Sequence, residues 1–212
     1  MQNLNFTYYN IPVNNSFLEN LFVDVKYPKD KISSLEKNGE LIRIKNGLYV
    51  IPNQNNKNSM SKELIANHLY GISYISLETA LAYYGMIPER VYSVRSMTIK
   101  RAKIFSTPFG NFEYNTISSA YFSIGLQQEI IENQYAFLIA TPTKAVCDMI
   151  VATSNLRIQS VKAMRKYLTE DLRIDLDVLK TLDKEIVNQC IEVGKKKGEL
   201  QWLEKYLYDI EK

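Results

Sequence analysis

The feature of the sequence that most constrains the fold is a short hairpin signal, LIRIKNGLYVIP. Two runs of aliphatic and aromatic residues stand on either side of Asn46-Gly47. A two-residue turn between antiparallel strands needs a positive φ at both of its positions, and Asn and Gly adopt that conformation most readily. The sequence therefore predicts a β-hairpin that turns at Asn46 and Gly47.

The length of the turn fixes the expected register of this hairpin. With two turn residues, Lys45 pairs with Leu48, and the pairing continues outward along both strands. The further expected pairs are Ile44 with Tyr49, Arg43 with Val50 and Ile42 with Ile51. One face of the hairpin is then wholly apolar, and the other face carries Arg43 and Lys45.

Two short helices are predicted before the hairpin. The segment SFLENLF has apolar residues at helical spacing, with Ser16 as N-cap and Glu19 as its capping-box partner. The next helix runs from about Pro28 to Asn38, because Pro is tolerated in a first turn and Gly39 suits a left-handed helix end. Helices followed by a basic hairpin are typical of a winged helix-turn-helix, whose second helix enters the major groove of DNA.

The second of these helices combines an apolar face with a small polar one. Ile32 and Leu35 fall on one side, and serine and lysine residues fall on the other. Small side chains let a helix approach the groove, and lysines supply donors for bases and phosphates. We expect base contacts from Lys29, Ser33, Ser34 and Lys37, and phosphate contacts from Lys26, Lys31, Arg43 and Lys45. The alternative is a solvated helix beside a sheet edge that charged residues protect.

A polar linker is predicted after the hairpin, in the segment PNQNNKNS near Asn53–Ser59. It divides the chain into a winged-helix domain of residues 1–55 and an α+β domain of residues 59–212. We expect the two domains to pack independently of each other.

The second domain is predicted to contain a small antiparallel sheet and C-terminal helices. The sheet is expected within Val91–Ile117, where Pro108 and Gly110 mark a turn between two strands. YAFLIATP predicts a buried strand that leads into a helix at Pro142, and helical spacing continues from Leu156 onward.

Four basic residues lie within or beside the predicted sheet, interleaved with apolar ones. They could form a second anion-binding face; the alternative is an ordinary solvated outer face whose apolar neighbours point inward. The four residues are Arg95, Lys100, Arg101 and Lys103.

Composition and motif content argue against several functional classes. The net charge is only +3, so any DNA contact must come from locally clustered charge. The single histidine, His68, and the lack of a G-x-S-x-G or glycine-rich phosphate motif argue against an enzyme. We therefore predict no catalytic residue, cofactor or metal ligand. Carboxylates that might pair are expected at the surface, and the two cysteines in the core: Glu132, Asp148, Asp175 and Asp177, and Cys147 and Cys190.

The sequence also predicts a cytoplasmic protein without a membrane partner. No stretch approaches the roughly 20 consecutive apolar residues that span a bilayer. The first residues, MQNLNFTYYNIPVNN, lack the basic and apolar regions of a signal peptide.

Four segments resemble the AbiEi family of antitoxins from type IV toxin–antitoxin systems. They occur in the family's order over most of residues 16–150, and the tail from Leu156 matches least well. The segments are GELIRIKNGLYVIP from Gly39, SLETALAYYGMIPE from Ser76, TPFGNFEY from Thr107 and ATPTKAVCDMI from Ala140.

The resemblance implies an antitoxin whose winged helix represses its own operon and whose second domain counteracts a nucleotidyltransferase toxin, without a stable complex being required. A small winged helix reads few base pairs, so we expect it to bind inverted repeats of double-stranded DNA in its own promoter. Two alternatives stay open. The second domain could be an enzyme that modifies a toxin or nucleotide, with a phosphate site around Arg101, or the winged helix could bind a protein instead.

Overall fold

The structure is a computed structural model that describes residues 9–53 and 60–210. The fold is mixed α+β, with a three-stranded and a six-stranded sheet in these two ranges. The expected α+β class is therefore confirmed. The predicted linker lies mainly in residues 54–59, outside the described residues, so the domain division stays a prediction.

The first described range forms three short strands and two helices. They are β1 (Pro12–Asn14), α1 (Asn15–Leu21), α2 (Pro28–Lys37), β2 (Ile42–Lys45) and β3 (Leu48–Val50). The sheet is antiparallel in the order β1-β3-β2, so the last strand lies between the other two. This places the two helices on the connection between an edge strand and the hairpin.

Both predicted helices are present, but the first is capped by a different residue. The side chain of Asn14 accepts a hydrogen bond from the backbone N–H of Phe17 at 2.8 Å, so Asn14 and not Ser16 is the N-cap. Asn14 ends β1 in an extended conformation, which directs its side chain at the open end of the helix. In α2, Pro28 occupies the first turn as expected, and Gly39 has a φ of +73° just beyond the end.

The hairpin is confirmed, but its predicted register is wrong beyond the first pair. Lys45 lies opposite Leu48, whereas Arg43 lies opposite Tyr49 and Ile42 lies opposite Val50. The register shifts between Arg43 and Lys45, which leaves Ile44 as an extra residue on its strand. Ile44 is buried in the larger apolar core, and this burial is the physical reason for the irregularity.

Both faces of β3 are buried, contrary to the expected polar face, whereas Arg43 on β2 is exposed. Tyr49 and Ile51 pack in a small cluster with side chains of α1 and α2. Ile44, Leu48 and Val50 belong instead to the main core, which is built mostly from residues after 60. The hairpin therefore joins the N-terminal elements to the rest of the chain, and the expected independent packing does not hold at this surface.

The larger sheet has six strands and is mixed. Its order is β6-β7-β5-β4-β9-β8, with β4 parallel to β9 and β5 parallel to β7. The strands are β4 (Ser73–Ile75), β5 (Val94–Thr98), β6 (Lys103–Thr107), β7 (Gly110–Thr116), β8 (Leu126–Ile131) and β9 (Tyr135–Ala140). The predicted turn between β6 and β7 is confirmed, but the predicted small antiparallel sheet is wrong, because distant strands complete the sheet and β7 inserts between β5 and β6.

Helices flank and follow the sheet. They are α3 (Lys62–Leu69), α4 (Leu77–Tyr83), α5 (Ser119–Phe122), α6 (Pro142–Ala152), α7 (Val161–Lys166), α8 (Leu176–Leu179), α9 (Lys184–Val193) and α10 (Lys197–Asp209), with a π-helical turn at Tyr167–Asp171. The strand that leads into a helix at Pro142 and the helical C-terminal part are confirmed. Thr141 caps α6 by accepting a hydrogen bond from the N–H of Lys144.

A buried ion pair lies at the centre of the core. The Nζ of Lys144 is 2.9 Å from Oδ1 of Asp148, and both side chains are 0% exposed. The hydroxyls of Ser76 and Tyr74 donate to Oδ2 of Asp148 at 2.6 and 3.0 Å. Burial and the nearby Asp148 charge raise the pKa of Tyr74 well above its ordinary value. Ser76 thus serves this network and makes no side-chain cap for α4.

The surface position expected for Asp148 is therefore wrong. Its neighbours on α6 are buried on all sides, and a carboxylate is stable there only with charged and hydroxyl partners. The expectation is confirmed for the other three carboxylates, which are exposed: Glu132, Asp175 and Asp177. Both cysteines are free and buried, as predicted.

No helix within the described ranges has the length and apolar character needed to cross a membrane.

The packing of the hairpin predicts the behaviour of a truncated chain. A fragment that begins at Met60 loses Ile44, Leu48 and Val50 from the main core. We expect its thermal midpoint to fall well below that of the full chain, because each buried aliphatic side chain contributes about 1.5 to 3 kcal/mol. Cooperative unfolding followed by circular dichroism measures this difference, and equal midpoints would show that the two parts pack independently.

Candidate nucleic-acid interface

The outer face of α2 is open and carries small polar and basic side chains. Ile32 and Leu35, only 5% and 3% exposed, turn toward the small core as predicted. All of the predicted contact residues before the hairpin are exposed: Lys26, Lys29, Lys31, Ser33, Ser34 and Lys37. The acidic Asp30 shares this face, in the first turn of the helix. The surface presents both donors and acceptors, as recognition of base edges requires.

Arg43 lies beside α2 and is fixed there by two contacts. Its Nη2 donates to Oε2 of Glu36 at 2.6 Å, and its guanidinium lies 5.7 Å from the centre of the Tyr49 ring. The hydrogen bond to Glu36 is the main reason that the pKa of Arg43 is raised. The arginine is exposed, so the pair holds a charged group at the edge of the α2 face without burying it.

Lys45 projects in a different direction from Arg43. Its Nζ donates to the backbone carbonyl of Leu69 at the end of α3 and lies 5.8 Å from the centre of the Phe105 ring. Burial lowers the pKa of Lys45, and the positive charges of Lys100 and Lys103 lower it further. The two basic residues of the hairpin therefore serve different surfaces, because the irregularity at Ile44 interrupts the alternation of the strand.

Two of the four basic residues predicted as a second anion-binding face meet Lys45. The Nζ atoms of Lys100 and Lys103 lie 5.3 and 5.8 Å from the centre of the Tyr70 ring. Lys103 also lies 4.7 Å from the centre of the Phe105 ring, where Lys45 approaches as well. Below, Lys45, Lys100, Lys103, Tyr70 and Phe105 are called the lysine cluster.

The other two members of that set differ from each other. Arg101 is exposed next to Lys100, and its backbone carbonyl accepts a hydrogen bond from the Tyr70 hydroxyl at 3.1 Å. Arg95 lies on β5, where its Nη1 is 2.6 Å from Glu78 and its Nε is 3.6 Å from Glu113. These carboxylates, on α4 and β7, compensate the charge of Arg95. Arg95 therefore does not belong to the lysine cluster.

A cleft separates β1 and the hairpin from the end of α3. It has a volume of about 630 Å³ and is lined mainly by apolar residues, with Lys45 and His68 among its polar ones. His68 is exposed there. Within the described ranges, no group of acidic, cysteine or histidine side chains is arranged to hold a metal ion.

No protein-family model matches the chain, and the search of curated proteins finds no significant match.

Sequence reasoning found the α2 face because helical periodicity determines which residues share a side. It predicted Lys100 and Lys103 on a possible anion-binding face but missed their proximity to Lys45, since both lie more than fifty positions later in the chain. No local signal relates these segments. Only the six-stranded sheet, which ends at β6, brings Lys103 and Phe105 to the hairpin.

Proposed function

We propose that the protein is a DNA-binding transcriptional autorepressor that also acts as an antitoxin. It would act in the cytoplasm, without a catalytic site or cofactor. The observation that carries the DNA-binding part is the exposed face of α2, where serines and lysines stand opposite a well-packed apolar face. Such a helix can enter a major groove, because its small side chains permit close approach and its lysines reach bases and phosphates.

The connectivity of the N-terminal elements supports this proposal. A strand, two helices and a hairpin follow one another, and the first strand pairs with the last strand of the hairpin. This order is compatible with a winged helix-turn-helix, in which α2 would be the recognition helix. Arg43, at the edge of the α2 face, is then the hairpin residue best placed to contact a flanking phosphate.

The antitoxin part of the proposal depends on the resemblance to AbiEi-type proteins. In that family a winged-helix protein counteracts a nucleotidyltransferase toxin. A hydrogen bond links two of the family-like segments in the core. Ser76, which opens one segment, donates its hydroxyl to Asp148 of the buried ion pair, which lies in another segment. A shared core network explains why both segments would be present in one domain.

Binding to the protein's own promoter tests the proposal. We expect the full chain to bind a duplex with inverted repeats from the region upstream of its gene about 1,000-fold more tightly than a scrambled duplex of the same composition. Gel shifts at one fixed salt concentration measure both affinities. Equal affinity for the two duplexes would contradict sequence-specific repression.

A further inference from the structure

The lysine cluster brings three ammonium groups together over two aromatic rings. Lys45 comes from the hairpin, Lys100 from the connection between β5 and β6, and Lys103 from the edge strand β6. Each ammonium group lies within 5.8 Å of the centre of the Tyr70 or Phe105 ring. The rings contact each other, with 5.4 Å between their centres. The aromatic pair thus supports three cations that belong to separate parts of the chain.

The backbone beneath these lysines is well anchored. The N–H of Lys100 donates to the hydroxyl of Thr98 at 3.2 Å, and its carbonyl accepts from the hydroxyl of Thr116 at 2.8 Å. The side chain of Lys100 lies so close to Gly71 that an added Cβ there would be 2.7 Å from Nζ. These contacts fix the backbone at Lys100, while its side chain stays exposed and accessible to a ligand.

The cluster has an uncompensated positive charge. Among the described residues, no carboxylate forms an ion pair with any of its three lysines. Burial lowers the pKa of Lys45, and the positive charges of Lys100 and Lys103 lower it further. This contrasts with Arg43 and Arg95, which both have glutamate partners. An anion between the three ammonium groups would replace repulsion by attraction.

We propose that the lysine cluster is a phosphate-binding site shared by the hairpin and the larger sheet. Phosphate fits better than a single carboxylate, because it offers more acceptor oxygens and more negative charge to three separate point donors. The phosphate could belong to a DNA backbone or to a free polyphosphate or nucleotide. Because Lys45 belongs to the hairpin, a bound phosphate also strengthens the attachment of the hairpin to the sheet.

Removal of two charges tests this site in the full chain. We expect Lys100→Gln together with Lys103→Gln to abolish the rise in thermal midpoint that inorganic triphosphate causes in the wild type, if the site takes free phosphate. If it takes the DNA backbone, the same variant lowers the salt slope for a scrambled duplex by about 2, because two phosphate contacts are lost. Either loss supports the proposal and identifies the source of the phosphate.

Two further variants separate charge from damage to the fold. Lys162→Gln with Lys166→Gln removes the same charge from exposed positions on α7 and should leave both readouts unchanged. Lys100→Arg with Lys103→Arg keeps the charge and should retain binding. The proposal is overturned if the glutamine variant matches the α7 control in both readouts, or if the arginine variant loses as much binding as the glutamine variant.

The test of the phosphate site is independent of the test of sequence-specific DNA binding. Loss of the phosphate site leaves the preference for the promoter over a scrambled duplex in place, because that preference is assigned to α2. Loss of the preference in α2 variants leaves triphosphate binding in place.

Discussion

Replacing Asp148 by alanine is expected to destabilise the protein by about 3 to 5 kcal/mol. The substitution leaves Lys144 as a fully buried cation without its carboxylate, which otherwise lies 2.9 Å away. It also removes the acceptor of Ser76 and Tyr74. The ammonium keeps the carbonyl of Tyr121, at 3.2 Å, and the faces of the Tyr121 and Tyr74 rings, 3.1 and 5.6 Å from their centres. Denaturant unfolding measures the loss.

A surface ion pair provides the matched control. Lys180, at the C-terminal cap of α8, lies 3.4 Å from Asp177 of that helix, and Asp177 is 95% exposed. Asp177→Ala should change stability by less than about 1 kcal/mol, because water screens such pairs. Lys144→Met combined with Asp148→Asn should be more stable than Asp148→Ala, since it removes both charges and keeps a side-chain oxygen for the hydroxyls. If Asp148→Ala lowered the free energy of unfolding no more than Asp177→Ala, the stabilising role given to the Lys144–Asp148 pair would be contradicted.

Features set by neighbouring residues could be predicted from the sequence, and features set by distant residues could not. The hairpin follows from Asn46-Gly47, and the α2 face follows from the spacing of Ile32 and Leu35. The predicted register was wrong at Ile44, because the burial of Ile44 depends on core residues that follow the linker. A two-residue turn specifies only the pair next to it.

The same distinction explains the errors in the second sheet and at Asp148. β4 pairs with β9 through Ile75 and Ile139, which are far apart in the chain, so no local pattern could place them side by side. Asp148 follows Lys144 by one helical turn, a spacing that is also common on exposed helices. The spacing is compatible with a surface ion pair, but the hydroxyls that make burial tolerable come from residues before β5.

Replacing Ser33 and Ser34 by glutamate should abolish the preference for the promoter. Both residues are exposed on α2, opposite its buried face. Two carboxylates there would meet the phosphates and acceptor-rich base edges of a groove, and each well-placed base contact contributes about 1 to 3 kcal/mol of discrimination. We expect operator affinity to fall by about 100-fold or more. The α7 variant, Lys162→Gln with Lys166→Gln, changes the net charge equally and should bind the operator nearly as well as the wild type.

The same variant distinguishes repression from neutralisation. If the second domain counteracts a toxin directly, as proposed, cells that express a nucleotidyltransferase toxin neutralised by the wild-type protein should still be protected by the Ser33→Glu, Ser34→Glu protein. The full chain is the right protein for this test, because a fragment without the hairpin loses part of the main core. Loss of protection by a folded variant would mean that neutralisation works through transcription alone.

We propose that α2 reads DNA sequence. The ratio of the dissociation constants for a scrambled duplex and for the promoter duplex, measured at one salt concentration by fluorescence anisotropy, tests this claim. We predict a ratio of about 1,000 for the wild type and for the α7 variant, and a ratio near one for Ser33→Glu with Ser34→Glu. A wild-type ratio near one, or an unchanged ratio in the α2 variant, would contradict the claim.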